Sequence, residues 1–224
     1  MTVACPHFDV SIRQRSKGQS AVAGAAYMSA EKLFSEYDQR TKNFCYKEKE
    51  IVAKGILLPP NAPREYSDRQ TLWNAVEASE RQWNAQLARG IIMALPREMP
   101  ADQYEALVRE YCMEQFVSRG MIADYAIHDK GDGNPHAHVM LTMRAMDEHG
   151  KWLPKARRVY ILDENGEPQL DSNGNVITGE FEKGSVRVHP VSTLPMHEYS
   201  LFSIVNIFSL VRFLHFVLII FLFR

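Results

Sequence analysis

The stretch HDKGDGNPHAHVMLTMR, residues 128–144, joins a glycine-rich segment to a regular alternation of residue types. From residue 136 onward the alternation has a period of two, which predicts a β-strand because successive side chains point to opposite faces. The preceding segment MIADYAIHD, residues 121–129, predicts another strand, and GDGN at 131–134 predicts a turn. We therefore expect two neighbouring strands that run antiparallel.

Three of the eight histidines of the chain fall within these residues. His136 and His138 are expected on one face of their strand, and the turn brings His128 alongside them. A His-x-His pair alone is more often incidental, but three converging imidazoles predict a catalytic divalent metal with open coordination positions. Asp129 is a candidate to support a ligand from outside the coordination shell. The opposite face is apolar: Ala137, Val139, Leu141 and Met143.

Further toward the N-terminus, Phe8 to Ile12 alternate with polar residues and predict a half-buried strand. An alanine-rich helix is expected from Ser20, its N-cap, to Phe34, with Lys32 in the last turn. The basic residues before this helix suit phosphate, because loop N–H groups and the helix dipole attract anions; a solvated basic loop is the alternative. These residues are Arg13, Arg15 and Lys17.

Tyr27 stands among small residues of this helix, which would let its phenol reach a neighbouring site. A tyrosine that acts as a nucleophile needs a cation or a base nearby. Most tyrosines serve only in packing, and Tyr37 and Tyr46 are weaker candidates.

The remaining pattern alternates strands with helices. Residues 51–58 predict a strand, Ser67–Gln70 a capping box that opens a helix to about Arg89, and IIMALP at 91–96 a buried strand. Pro100 is expected to open a helix that stops at Gly120. These elements predict an α+β fold with a mainly antiparallel central sheet flanked by helices.

The composition limits the classes of function. A formal net charge of −1 gives no bulk indication of nucleic-acid binding, so such binding has to rest on local clusters. Three cysteines without a CxxC spacing argue against a disulfide framework and against a cysteine zinc site. The expected location is therefore cytoplasmic.

Residues 201–224 differ from the rest, with 18 apolar residues in 24. We expect a domain at 1–184, a linker at 185–200 and this tail as an appended apolar helix. The tail is long enough to span a bilayer, although Arg212 near its middle costs about 2.5–3.5 kcal/mol. A membrane span and the product of a shifted reading frame are the two alternatives.

Several segments together resemble the MobA/MobL family of plasmid mobilisation relaxases, which are HUH endonucleases. The resemblance runs from about residue 3 to residue 165. It is carried by RSKGQSAVAGAAY with EKL, LLPPNAP, LWNAVEASE, AQLAR, ALPRE and, above all, HDKGDGNPHAHVMLTMR.

The resemblance implies an enzyme that nicks single-stranded DNA at a transfer origin. Tyr27, which matches the tyrosine of the family's first motif, would form a 5′-phosphotyrosine link, with Mn²⁺ or Mg²⁺ held by the three histidines. Candidate contacts to the DNA backbone are Arg13, Arg15, Lys17 and Arg144. Accessory mobilisation proteins and a coupling protein are the implied partners, and the tail would add a membrane contact if it is a span.

Two departures from the family pattern leave alternatives open. The family continues after the hairpin region into a polar, Trp-containing helical segment, whereas this chain departs from the pattern near residue 184. The family carries acidic residues after AQLAR, where this chain has Gly90 and Ile92. A catalytically degenerate, truncated relaxase that only binds DNA is therefore one alternative. A membrane-tethered metal-binding module is another. A third is a different HUH nuclease, a replication initiator or transposase, for which a covalent link at Tyr37 or another residue would be expected.

Overall fold

The computed structural model describes residues 7–157, 167, 169–170 and 182–183. These residues belong to one compact unit, Met1–Val188. The linker and the apolar tail predicted at 185–200 and 201–224 lie outside the described residues. Within the described part, no helix combines the length and apolar character needed to cross a membrane.

The strands in chain order are β1 (Phe8–Gln14), β2 (Lys32–Ser35), β3 (Arg40–Asn43), β4 (Ile51–Leu57), β5 (Gln86–Ala94), β6 (Ala123–His128), β7 (His136–Thr142), β8 (Ala156–Arg157) and β9 (Glu182–Lys183). Five of them form the central sheet in the order β1-β5-β7-β6-β4, and every neighbouring pair is antiparallel. The strands β2 and β3 form a hairpin, and β8 pairs with β9. The predicted α+β class is confirmed.

Three α-helices cover the sheet: α1 (Ala21–Ser29), α2 (Arg69–Ser79) and α3 (Tyr104–Gln115). Side chains of α1 and α2 share a core with Ala126 and Met140, which lie on the same face of the sheet as His138. We call this face the site face. The helix α3 covers the opposite face, where Glu105 and Arg109 hydrogen-bond the hydroxyl of Tyr125. The apolar face predicted for β7 is buried.

The helix α1 packs its glycine against the side chain of Arg13, which lies on the edge strand β1. A Cβ atom added to Gly24 would stand 2.4 Å from Nε of Arg13, well inside van der Waals contact. Alanines of α1 are completely buried against the sheet. The small residues of this helix therefore allow the close approach that the sequence predicted.

The predicted length of α1 is wrong. Ser20 caps the helix as expected and accepts a hydrogen bond from the N–H of Ala23. The helix ends at Ser29, because Ala30 adopts a left-handed conformation with φ of 54°. Lys32 consequently opens β2 and is not in a last helical turn. The early end frees Glu31 to pair with Arg69 and Lys54.

The helix predicted from Ser67 to about Arg89 is also shorter. Asp68, and not Ser67, caps α2 by accepting from the N–H of Thr71. Residues 86–89 belong to β5, where they pair with β1 and β7. Strand pairing on both sides thus overrides the helical pattern in this segment.

The strand β1 is confirmed, but its predicted half-burial is wrong. Val10 and Ile12 expose 36% and 39% of their surface. Both side chains lie on the face of the sheet that α3 packs against. The helix α3 covers that face only over β4 and β6, at the other end of the sheet from β1, and so leaves the two side chains exposed.

The predicted strands at β4 to β7 are confirmed, as is the helical segment before Gly120, with 3₁₀ turns at both of its ends.

A buried ionic network joins β6 to α2 and to Glu31, which follows α1. Asp124, fully buried, accepts hydrogen bonds from Nε and Nη2 of Arg69 and from the indole of Trp73. Arg69 also donates to Glu31 at 2.7 Å. Burial opposes the charge on Arg69, but the two carboxylates outweigh it and raise the pKa of the guanidinium.

Replacing Arg69 with methionine is expected to lower the free energy of unfolding by about 3–5 kcal/mol, because it leaves Asp124 buried and unpaired. Lys130→Met is the control, since Lys130 is exposed and lies 3.8 Å from Glu50, and its loss should cost about 1 kcal/mol or less. Urea denaturation measures both changes. Equal midpoints for the two variants would contradict the role given to this network.

Candidate metal centre

The three predicted histidines meet on the site face. His128 ends β6 and lies opposite His136, which begins β7, while His138 lies opposite Ala126. Their ring centroids are 4.6 to 5.5 Å apart. One ring nitrogen from each can be chosen so that all three lie within 4.8 Å of one another. The hairpin register therefore produces the convergence that the sequence predicted.

Backbone carbonyls orient two of the rings. Nε2 of His128 lies 2.6 Å from the carbonyl oxygen of Met28, and Nδ1 of His136 lies 2.8 Å from that of Asn134. A carbonyl oxygen only accepts, so these two nitrogens carry the protons. Nδ1 of His128 and Nε2 of His136 are then left with lone pairs for a metal, the usual arrangement around ligating histidines.

The site also favours the neutral, ligating form of two imidazoles. Burial, the largest cause, and the neighbouring imidazoles, Lys47 and Arg13 together lower the pKa of His138 to about 3. Burial likewise lowers the pKa of His128. Both rings are therefore unprotonated at neutral pH, which metal binding requires. The donor set fits a divalent transition metal, because imidazole suits such ions better than it suits Mg²⁺.

Two residues at which the resemblance leads us to expect acidic side chains lie beside the triad. Ile92 stands directly opposite His138 across β5 and β7, and Gly90 stands opposite Met140. A side chain at position 92 thus flanks a ligand, and here that side chain is apolar.

A carboxylate that the sequence did not indicate lies on the other side of the triad. The charge of Glu50 acts on His128, and its backbone carbonyl accepts a hydrogen bond from the N–H of Asp129 at 2.9 Å. The Oε2 atom of Glu50 is buried without a hydrogen-bond partner. No motif links Glu50 to the histidines, so only the pairing of β4 with β6 reveals it.

The Asp129 side chain stabilises the turn between β6 and β7. Its carboxylate accepts a hydrogen bond from the N–H of Gly131 at 2.8 Å. The hydrogen bonds found for the triad within the described part of the chain go to the backbone carbonyls named above. The supporting role predicted for Asp129 stays a prediction.

Tyr27 lies next to the residue that touches the triad. It precedes Met28, whose carbonyl meets His128, and 42% of its surface is exposed. The ring packs edge-on against Phe44, with centroids 5.4 Å apart. The ammonium of Lys47 lies 3.7 Å from the ring centroid. The structure thus brings the predicted nucleophile and the predicted ligands into one region.

The position of Tyr27 depends on α1, which is held at both ends. At the N-terminus, a carboxylate oxygen of Glu77 accepts hydrogen bonds from the Ser20 hydroxyl and from the N–H groups of Ala21 and Val22. At the C-terminus, the ammonium of Lys54 donates to the carbonyl of Ser29 at 2.9 Å. Neither contact could be predicted, since both join segments far apart in the chain.

Two of the predicted basic residues remain available to a ligand. Arg13 is on the site face of β1, and burial lowers the pKa of its guanidinium. Its Nε atom is buried without a hydrogen-bond partner. Lys17 is exposed at the end of the turn before α1.

The other two basic residues have partners inside the protein. The guanidinium of Arg15 donates to the carbonyls of Glu77, Glu80 and Gln82 at the end of α2, and it stacks on Tyr37. Arg144 lies beyond the end of β7, where it donates to Glu80 and to the carbonyl of Leu153. These contacts give Arg15 and Arg144 a structural role, and the DNA contact expected for them stays a prediction.

The fold and the site together define an antiparallel α+β domain with three imidazoles on the inner strands and a tyrosine on the covering helix. The MobA/MobL family model matches residues 19–191. The chain belongs to the MobA/MobL family, as its resemblance to that family predicted.

Proteins named for conjugal transfer and mobilisation are similar in sequence to this chain. A conjugal transfer protein TraA of Agrobacterium fabrum is 34% identical over 78% of this chain and 16% of its own length. A probable mobilization protein MobA of Bifidobacterium longum is 39% identical over 75% of this chain and 31% of its own length. The chain therefore spans less than a third of either relative.

A solved structure agrees with the fold. It is described as the molecular basis of vancomycin resistance transfer in Staphylococcus aureus. It is 36% identical, with a TM-score of 0.64, over 68% of this chain and 77% of the solved one.

Replacing His138 with alanine is expected to weaken Mn²⁺ binding at least about tenfold, because one of three ligands is lost. Asp129→Asn should leave the affinity nearly unchanged, since the Asp129 side chain bonds within the turn. Electron paramagnetic resonance of free Mn²⁺ during titration measures both. Unchanged affinity in His138→Ala would remove this residue from the ligand set.

The lowered pKa of His138 makes the metal-free protein sensitive to acid. Between its ordinary pKa of 6.5 and about 3, the unfolded chain binds a proton that the folded chain does not. The free energy of unfolding should therefore fall as the pH falls through this window, by up to about 2 kcal/mol at pH 5. Urea denaturation in EDTA at several pH values measures the slope.

The variant His138→Leu should show a smaller slope than the wild-type protein over the same pH range. His149→Leu, which removes an exposed histidine, is the control and should keep the wild-type slope. Identical slopes in wild type and His138→Leu would show that His138 is not held in its neutral form.

Proposed function

We propose that this chain is a relaxase domain that nicks single-stranded DNA at a plasmid transfer origin, with Tyr27 as its nucleophile. The observation that carries the proposal is the 2.6 Å contact between the Met28 carbonyl and the His128 ring. It fixes the residue next to Tyr27 against a candidate metal ligand. The membership of the chain in the MobA/MobL family supports the same function.

The proposed reaction is a transesterification at phosphorus. The phenolic oxygen of Tyr27 forms a bond to the phosphorus of the scissile phosphodiester, and the bond from phosphorus to the 3′ oxygen breaks. The phenolic proton is lost to solvent and the leaving 3′ oxygen gains one, so no oxidant or cofactor turnover is needed. The ester bond is conserved as a 5′-phosphotyrosine link, which allows the strand to be rejoined later.

His128, His136 and His138 would hold the divalent ion. A bound ion would supply Lewis-acid stabilisation of charge on the phosphate oxygens. Because all three donors are imidazoles and Ile92 contributes no carboxylate, we favour Mn²⁺ over Mg²⁺ as the ion.

The chain also offers groups that suit a single strand. Arg13 and Lys17 supply positive charge beside α1 for backbone phosphates. Tyr46 and Trp83 expose 77% and 75% of their surface, and exposed aromatic rings are platforms for stacking bases. Contacts of both kinds bind DNA largely without reading its sequence.

A second candidate function is DNA binding without cleavage. It is favoured by Ile92, an apolar residue opposite His138, in the stretch where the resemblance leads us to expect acidic residues. Weak retention of the metal would then leave a domain that binds the origin and does not cut it. The accessory and coupling proteins expected from the resemblance would serve either function.

A covalent-adduct assay separates the two candidates. The full chain is incubated with single-stranded DNA from candidate transfer origins and Mn²⁺, and a denaturing gel is read for a protein–DNA conjugate. The conjugate should form with the wild-type chain and with Tyr46→Phe, the control. It should be absent with EDTA, with Tyr27→Phe and with His136→Ala.

DNA binding without any conjugate, on an origin that a related relaxase cleaves, would support the degenerate enzyme. A conjugate that persists in Tyr27→Phe and maps to another tyrosine would contradict the assignment of the nucleophile. Neither binding nor conjugate would contradict the proposed function as a whole.

Replacing Arg13 with glutamine is expected to weaken single-stranded DNA binding and to lower the slope of log affinity against log salt by about 0.7, the loss of one phosphate contact. Arg64→Gln is the control, because Arg64 is exposed in the turn before α2, away from the residues that surround the triad. Fluorescence anisotropy with a labelled oligonucleotide measures both. An unchanged slope in Arg13→Gln would exclude Arg13 from the DNA contacts.

A further inference from the structure

Lys47 is a lysine whose chain is largely buried and whose ammonium has one long ion pair. It belongs to the 3₁₀ segment Cys45–Glu50, and only 8% of its surface is exposed. Its ion pair is with Glu50 at 3.7 Å, longer than the 2.7–2.9 Å of a charge-assisted hydrogen bond. Among the residues that the structure describes, its ammonium has no hydrogen-bond acceptor. The ammonium nitrogen itself retains contact with solvent, so it can take an acceptor from a ligand.

The ammonium points at the region of the proposed chemistry. It lies 3.7 Å from the ring centroid of Tyr27, a distance typical of a cation–π contact. Its charge also reaches His128 and His138, where it acts against protonation. Lys47 thus stands between the proposed nucleophile and the proposed metal ligands.

The carboxylate that pairs with Lys47 is shared. Oε2 of Glu50 also lies 3.8 Å from the ammonium of Lys130, which is exposed. One carboxylate therefore balances two lysines, and Gly90 and Ile92 add no negative charge from the strand side. The surroundings of Lys47 keep a surplus of positive charge, which suits an anionic ligand.

We propose that Lys47 is a phosphate-binding residue of this site, with its ammonium on a non-bridging oxygen of the phosphodiester next to Tyr27. The contact with the Tyr27 ring keeps that ammonium beside the attacking oxygen. Lysine suits this role because its ammonium is a compact point charge with three donors. The inference rests on the proposed function and assigns a further residue to it.

Lys47→Met tests the proposal, because methionine keeps an apolar chain and removes the charge. Lys47→Arg retains the charge, and Lys130→Met is the matched control, since it removes a lysine from the same carboxylate. Three quantities are measured on the full chain: Mn²⁺ affinity without DNA, the salt dependence of single-stranded DNA binding, and the single-turnover rate of adduct formation.

Lys47→Met should bind Mn²⁺ several-fold more tightly, because a like charge beside the triad is gone. The salt slope of DNA binding should fall by about 0.7, for one lost phosphate contact. The adduct rate at saturating Mn²⁺ and DNA should fall about 10–100-fold, the size expected for a hydrogen bond between charged groups. Lys47→Arg should recover part of the rate, and Lys130→Met should stay within about twofold of wild type in each measurement.

A role in packing alone would leave the Mn²⁺ affinity and the salt slope unchanged, and that result would overturn the proposal even if the adduct rate falls. If the wild-type chain forms no adduct, the proposed function fails, but the first two measurements still decide whether Lys47 binds phosphate beside the triad. An unchanged salt slope in Lys47→Met would then exclude it.

Discussion

The helix α1 is held by contacts at both of its ends, and the geometry of the site depends on them. Glu77 binds the first N–H groups of the helix, where a carboxylate also complements the helix dipole. At the other end, the Met28 carbonyl meets His128 and the Ser29 carbonyl meets Lys54. The helix cannot slide along the sheet without breaking both sets of hydrogen bonds. Tyr27 is therefore positioned by contacts that its neighbours make, while its own ring stays 42% exposed and accessible to a substrate.

The electrostatic character of the site follows from the same packing. Burial keeps His128 and His138 neutral, so the histidines contribute lone pairs without positive charge. The positive charge comes from Arg13 and Lys47, one on either side of α1 in sequence, and both act on His138. Neither has a hydrogen-bonded carboxylate among the described residues. This arrangement offers neutral donors to a metal and leaves two cations for the phosphodiester of the proposed reaction.

The hairpin of β6 and β7 could be predicted from the sequence, because strand periodicity and a glycine-rich turn are local signals. That hairpin alone places the three histidines. The ends of α1 and α2 could not be predicted, since they depend on Ala30 in a left-handed conformation and on the pairing of residues 86–89 between two strands. The partners of Arg15 and Arg144 could not be predicted either, because the carbonyls and the carboxylate that bind them come from a distant segment. Glu77 lies in the LWNAVEASE segment, but its contact with α1 joins distant parts of the chain and could not be predicted, and Lys47 lies outside the quoted motifs.

The central claim is that α1 holds Tyr27 beside the histidine triad, and paramagnetic broadening by bound Mn²⁺ tests it directly. In a chain with isotopically labelled tyrosine, the ring signal that disappears in Tyr27→Phe identifies Tyr27. Its signal should broaden at low Mn²⁺ occupancy, since the effect falls steeply with distance, while Tyr111 on the far side of the sheet keeps a sharp signal. The broadening should be lost in His138→Ala. A Tyr27 signal that stays sharp while the triad is loaded with Mn²⁺ would contradict the account.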